Sequence, residues 1–528
     1  MKYRLMRVRV VTVLLTLGVS AGQNKDTRPD IPRVWDERAL REMELPVVVP
    51  EYSPKPVSAE YYYKIPARTI YKSYPIYAPG RGPSGYLEKL RSLDPEVAFK
   101  PSELTTNADW IRAGERVFEA PTQLEDEAEA FSKAIADSAW YSHTGVRLTR
   151  EGIMPYARYV IRKKGKVEVG SLSCANCHMR VTDAGVRVLA GPGDFPLDPT
   201  NAFLYRQLGL KDARRDFLGL FSTPWLRERQ RQMEAYSLDV FTAIWDSIPA
   251  GVLARNRSSP LFPPSVPDLH GVRERRYLDK SGLNQHRTIA DLMRYAAMAE
   301  GMEFYSSYKG FIPAGGEGYD KLPEPATLTR FSEEQLYALS VWLYSQEPPS
   351  NPNPPPQTLA RAGQKVFERE RCGACHTPPL YTNNKLTPAD GFEIPEEHRS
   401  RYSILPIKVG TDPHLTMETR RGTGYYKVPS LRGLWYRGPF EHNGSVATLE
   451  DWFDASRLRN DYVPTGFKGY GVRTRAVPGH DVRARADDIA MLATQRLQPD
   501  QDRSAHHRGW QASERHHVRR LRARHARA

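Results

Sequence analysis

Cysteine is scarce. The chain of 528 residues has four, too few for a dense disulfide framework to stand in for a hydrophobic core. Long apolar runs are missing as well. Beyond the N-terminus no stretch approaches the roughly 18 apolar residues that mark a membrane-spanning helix. A strong charge of one sign is missing from the body of the chain. The formal charge is +14, but residues 1–21 carry +4 and residues 481–528 hold 11 Arg against 6 Asp plus Glu, which leaves +5 for residues 22–480. That ordinary value argues against nucleic acid as a partner and is compatible with steering an acidic redox protein. Lysine is absent from residues 481–528, which hold 5 of the 14 histidines and one short apolar stretch, Ile489-Ala490-Met491-Leu492. They read as a disordered basic tail, or as the product of a reading-frame change in the source sequence.

What is present begins with a secretory signal over residues 1–21. Lys2, Arg4, Arg7 and Arg9 precede the apolar Val10–Val19, and Val19-Ser20-Ala21 supplies small residues for cleavage. Export to the periplasm is the expectation. Residues 22–104 are rich in Pro and Tyr, including Tyr61-Tyr62-Tyr63, which suits an extended arm lying on another domain. Residues 348–356, Pro-Pro-Ser-Asn-Pro-Asn-Pro-Pro-Pro, form a stiff linker.

An internal repeat flanks that linker. Arg112-Ala113-Gly114-Glu115-Arg116-Val117-Phe118-Glu119 matches Arg361-Ala362-Gly363-Gln364-Lys365-Val366-Phe367-Glu368. Pro267-Asp268-Leu269-His270-Gly271 echoes Pro429-Ser430-Leu431-Arg432-Gly433, and the segment from His286 to Ala290 echoes His442 to Ala447. Three matches in the same order mean duplication. The first copy carries an insertion, because Cys174 follows Phe118 by 56 residues whereas Cys372 follows Phe367 by 5. Ser332, with Gln335 three positions on, predicts the start of a closing helix for the first domain. The predicted domains are therefore 105–347 and 357–480.

All four cysteines fall in two Cys-x-x-Cys-His units, Cys174/Cys177/His178 and Cys372/Cys375/His376. In this pattern two thioether bonds hold a haem c, and the following His is the proximal iron ligand. A zinc site would draw both cysteine pairs around one metal. Cys177 and Cys372 are 195 residues apart, and each pair has its own His, so two covalent haems are the reading. The sixth ligand stays open. Candidates are His480, Met417 and His442 for the second haem, with His480 preferred, and Met298, His286, His270 and His143 for the first. Each such His also has a plain reading as a hydrogen-bonded structural residue.

From Lys427-Val428-Pro429-Ser430-Leu431-Arg432-Gly433 to Pro439-Phe440-Glu441-His442-Asn443-Gly444-Ser445-Val446-Ala447-Thr448-Leu449-Glu450, the chain resembles the bacterial di-haem cytochrome c peroxidase superfamily. That superfamily includes the di-haem enzyme of methylamine utilisation. The resemblance is specific over residues 357–480 and weaker over 105–345. It implies a mainly α fold of two cytochrome-c-like haem domains, here with a long irregular N-terminal arm. It also implies a small electron-donor protein, a cytochrome c or cupredoxin, and hydrogen peroxide as substrate. A calcium ion between the domains belongs to the resemblance, with the Pro439 carbonyl as one ligand; the partner threonine of the pattern is Arg437 here. Where the family has a Met or Tyr iron ligand this chain has Ser456, which leaves that role to His480. The matching position of the first domain is Met298. Glu234 and Gln232, in the polar helix after the first haem motif, are the candidate proton carriers; a solvated surface is the plainer reading, because that segment is charged throughout. His442 is expected to support the second haem pocket through a hydrogen bond, with a tight turn at Asn443-Gly444. Three functions follow: a peroxidase, a non-catalytic di-haem electron carrier, or a haem subunit docked to a larger complex through the Tyr/Pro-rich arm.

Overall fold

In the computed structural model the described residues are 29–469, apart from 209–217, 224, 255–259, 302–304, 314–319, 352–353 and 460. The repeated Arg-Ala-Gly segment forms a helix in both copies, Asn107–Glu119 and Gln357–Arg369. Thr106 and Asp109 close a capping box at the first. Its apolar stripe, Trp110, Ala113, Val117 and Phe118, packs on the helix Glu333–Ser345, which starts at a second capping box formed by Ser332 and Gln335. Gly114 sits where the two helices cross. A Cβ there would lie 2.0 Å from the Ala338 carbonyl oxygen, so the absent side chain sets the spacing. One helical turn along, the Phe118 and Trp342 rings meet at 4.5 Å between centroids. In the second copy Phe367 packs on Tyr381, and any helix corresponding to Glu333–Ser345 lies outside the described residues.

The fold is mixed α/β, which corrects the expectation of a mainly α chain. Four sheets are present among the described residues. The largest is antiparallel, in the order Ser73–Tyr77, Ile153–Lys163, Lys166–Ser171, Gln123–Glu125. Three of its strands come from the insertion between Phe118 and Cys174. Branched residues in both central strands bury side chains: Val160, Ile161, Val167 and Val169. Ile161 and Val167 pack with Leu90 of the helix Tyr86–Ser92.

The fourth strand, Ser73–Tyr77, belongs to the expected irregular arm, and this is the second correction. Residues 29–104 are built into the fold. Trp35 stacks on Tyr62 at 4.2 Å, and Tyr305 meets both rings edge-on. Trp35 and Tyr62 are fully buried within the main core. Lys55–Pro56 pairs with Ser306–Ser307. The prolines read as irregular by local preference alone, although tyrosine favours strands. Long-range pairing and aromatic burial outweigh that preference.

Among the described residues no helix is long and apolar enough to cross a membrane.

Substituting Gly114 by Val should destabilise the protein by about 3 kcal/mol or more, because the helix crossing has no room for a side chain. Urea denaturation followed by circular dichroism measures this, and an unchanged midpoint would show that the crossing can relax at little cost.

Candidate haem-attachment sites

The first Cys-x-x-Cys-His unit is delivered by the sheet. After Lys166–Ser171 the chain turns through Leu172, at φ 56°, into a one-turn helix, Cys174–His178. Ser173 and Asn176 form its capping box. A single turn places both sulfurs and the imidazole on neighbouring positions of one short element. The chain then leaves as strand Met179–Val181 and returns so that the Gly193 amide donates to the Cys177 carbonyl at 3.1 Å. A Cβ on Gly193 would sit 2.3 Å from that oxygen, so glycine is required.

His178 Nδ1 is hydrogen-bonded to the Pro267 carbonyl at 3.1 Å. In the second copy His376 Nδ1 is 3.1 Å from the Pro429 carbonyl and 3.1 Å from that of Tyr381. Pro267 and Pro429 are equivalent positions of the repeat. A carbonyl can only accept, so Nδ1 carries the proton and Nε2 is the lone-pair nitrogen, the form that ligates a metal. Burial holds the His376 imidazole below its ordinary pKa, which also favours the neutral ring. The repeat marked both prolines in the sequence, but only the fold reveals their role. The backbone repeats as well: Gly271 at φ 67° and Gly433 at φ 68° each lead into a 3₁₀ turn, Val272–Glu274 and Leu434–Tyr436.

Cys177 and His178 open on a cleft that faces solvent in part. Its walls come from Leu253 and Pro264–Pro267, from Asp279–Ser281, and from Leu415, Thr419 and Arg421 beyond the Pro-rich segment 348–356. The four cysteines are half-buried and form no disulfide. The short helical turn, the fixed imidazole tautomer and the adjoining cleft fit a covalent haem at the first motif. The second motif shares the cysteine spacing and the imidazole geometry.

The remaining sequence candidates are placed as follows. His286 uses both ring nitrogens, one with the Arg275 carbonyl at 2.8 Å and the other with the Tyr344 hydroxyl at 2.7 Å. His270 bonds through Nδ1 to the Asp268 carboxylate at 2.7 Å and meets the Tyr436 hydroxyl at 2.9 Å. His143 pairs with Asp246 near the surface at 3.1 Å. Met298 is buried in the main core. Met417 packs on Ala389, Leu415 and Tyr426, and its neighbours Leu415 and Thr419 line the cleft of the first motif. Gln232 is exposed and Glu234 half-buried in the helix Arg227–Ala235, and neither lines that cleft. His480 lies outside the described residues. Next to Pro439, the carbonyls of Tyr436 and Gly438 accept from the Arg180 guanidinium, the latter at 2.6 Å.

His442 is enclosed. Its Nδ1 meets the Thr411 hydroxyl at 3.0 Å and its ring lies 4.5 Å from that of Tyr426. The Ser265 amide donates to its carbonyl at 2.8 Å, which ties this turn to the wall of the cleft beside His178. Gly444, at φ 71°, makes the turn before the helix Leu449–Trp452.

No family model matches the chain, and no curated protein matches it. Among solved structures the chain is similar to a hydrazine synthase of Kuenenia stuttgartiensis pressurised with xenon, at 15% identity over 52% of this chain and 85% of that one, with a TM-score of 0.25. A likeness at that score bears on neither fold nor chemistry.

Burial pushes the His442 pKa down to about 3, against a partly offsetting pull from Asp412. The unfolded chain therefore takes up a proton near pH 6.5 that the folded protein refuses until about pH 3. The stability from neutral His442 is complete above that window and is lost as pH falls through it. The denaturation midpoint should drop less between pH 7 and pH 4 in His442→Gln than in the parent; equal drops would remove His442 from the acid response.

Proposed function

We propose that the chain is an exported di-haem c-type cytochrome of the di-haem cytochrome c peroxidase superfamily. It works in the periplasm, taking electrons from a small redox protein, a cytochrome c or cupredoxin, and delivering them to hydrogen peroxide. The observation that carries the reading is the matched pair of bonds from His178 to the Pro267 carbonyl and from His376 to that of Pro429. A surface Cys-x-x-Cys-His unit has no need of a duplicated loop that sets one imidazole tautomer in both copies, and a zinc site would draw both cysteine pairs around one metal.

In this reading Cys174 and Cys177 hold one haem and Cys372 and Cys375 the other, with His178 and His376 as proximal ligands. Haem supplies one-electron iron chemistry at each site. Two such sites match the demand of the substrate, since one peroxide consumes two electrons and two protons to give two waters. The protein orients both imidazoles, walls the cleft beside His178 with Leu253, Pro264 and Leu415, and places the polar groups of Ser265, Tyr295 and Thr419 on it.

A pyridine haemochrome assay on protein matured in a periplasm should give two haems per chain, and one in the Cys174→Ala/Cys177→Ala variant. Two covalent haems in that variant would overturn the assignment. Anaerobic peroxide titration of the reduced protein should oxidise both haems at one peroxide per chain. Haems that stay reduced would make the protein an electron carrier.

A further inference from the structure

Four cations converge between the two Cys-x-x-Cys-His motifs. Arg275 and Arg437 each stand eight residues beyond the proline of their repeat. They make the same bonds: Arg275 donates to the carbonyls of Asp268 and His270, and Arg437 to those of Ser430 and Arg432. Each guanidinium thus braces the loop whose proline carbonyl holds the haem-motif histidine. Lys427 donates to the carbonyls of Tyr277 and Leu278, at 3.1 and 2.7 Å. Its amide bonds to the carbonyl of Lys280 at 2.9 Å, and Lys280 lines the cleft with Cys177 and His178. The side-chain bonds of Arg275, Lys427 and Arg437 run to main-chain carbonyls, so among the described residues none of the three is directly ion-paired; Asp268 acts on both arginines, and Asp279 on Lys427, through space.

The nearby carboxylates make their hydrogen bonds elsewhere, and Asp268 and Asp279 together bring two negative charges against the four positive ones. Asp268 accepts from His270 and Tyr436. Asp279 accepts the amides of Leu283 and Asn284. Glu441 is paired with Arg457 at 2.7 Å. Like charges enclosed together are costly unless an anion joins them. The strain shows in the lysines: burial, with the neighbouring cations, pushes Lys280 down to about 7 and Lys427 well below its ordinary range.

We infer that Arg275, Lys280, Lys427 and Arg437 form a shared carboxylate-binding site that receives the propionates of both haems. The inference rests on the di-haem reading and adds to it. Propionates are the carboxylates that a pair of haems brings to the interior, and the cleft that holds Cys177 and His178 reaches Lys280. The repeat-related arginines serve one haem each, and the lysines lie between them. Lys280 and Lys427 are positioning residues, acting on the iron through the propionate.

The test uses the full di-haem protein. Haem content and midpoint potentials, by spectroelectrochemical titration, are measured for the parent and for Lys280→Met, Lys427→Met and Lys280→Arg. Removing a positive charge beside a propionate favours ferric iron. Each Met variant should keep two haems and lower the reduction equilibrium of one haem by about tenfold, ~59 mV for one electron. Lys280→Arg keeps the charge, so its potentials should stay near the parent values while its resonance Raman propionate-bending band shifts. That variant also covers a Met variant that fails to fold. Unchanged potentials and an unmoved band, with two haems present, overturn the propionate site and leave the di-haem reading standing. A parent protein without covalent haem overturns the di-haem reading itself.

Discussion

Two hydrogen bonds, from Nδ1 of His178 and of His376 to the carbonyls of Pro267 and Pro429, join each Cys-x-x-Cys-His turn to a loop 89 and 53 residues away in sequence. A free imidazole exchanges its proton between two nitrogens and rotates about its side-chain bonds. A carbonyl acceptor removes both freedoms at once. The surrounding architecture serves to keep the two carbonyls in place. The 3₁₀ turns after Gly271 and Gly433, and the guanidinium braces of Arg275 and Arg437, repeat the same solution in both copies.

The copies differ in what has been added around this common frame. The first has a four-stranded sheet that ends directly at Cys174, and a helix pair closed over Gly114. The join between the halves depends on arginines that donate to main-chain oxygens. Arg180 binds the carbonyls of Tyr436 and Gly438, while buried Arg420 binds those of Gly219, Leu220 and Ser222. A planar fork of donors matched to carbonyls sets orientation more tightly than a point charge does. The cleft beside His178 takes walls from both halves, so its shape depends on this join.

The duplication, the helix start at Ser332 and the tight turn at Asn443-Gly444 were legible in the sequence. So was the pairing of each cysteine motif with its own histidine. These features are set by neighbours within a few positions: a capping side chain, a glycine at positive φ, a four-residue spacing along a helix. They survive in the folded protein because nothing distant needs to cooperate.

The strand Ser73–Tyr77 was not legible. Pro75 interrupts a short run of strand-favouring Tyr and Ile and hides its pairing with Ile153–Lys163, and the pairing energy exists only once both segments meet. The same holds for the side chains. Lys280 and Lys427 look like solvated charges in the sequence, and His286 looks like a candidate ligand. Burial among cations and the capture of both ring nitrogens depend on contacts that only the closed fold makes. By itself the sequence determined the two Cys-x-x-Cys-His units and where the repeat places them. The tertiary structure decided which carbonyl fixes each imidazole, which charges lie enclosed between the motifs, and that the insertion and the N-terminal segment form sheet, because those outcomes depend on segments that are far apart in the chain and become neighbours only on folding.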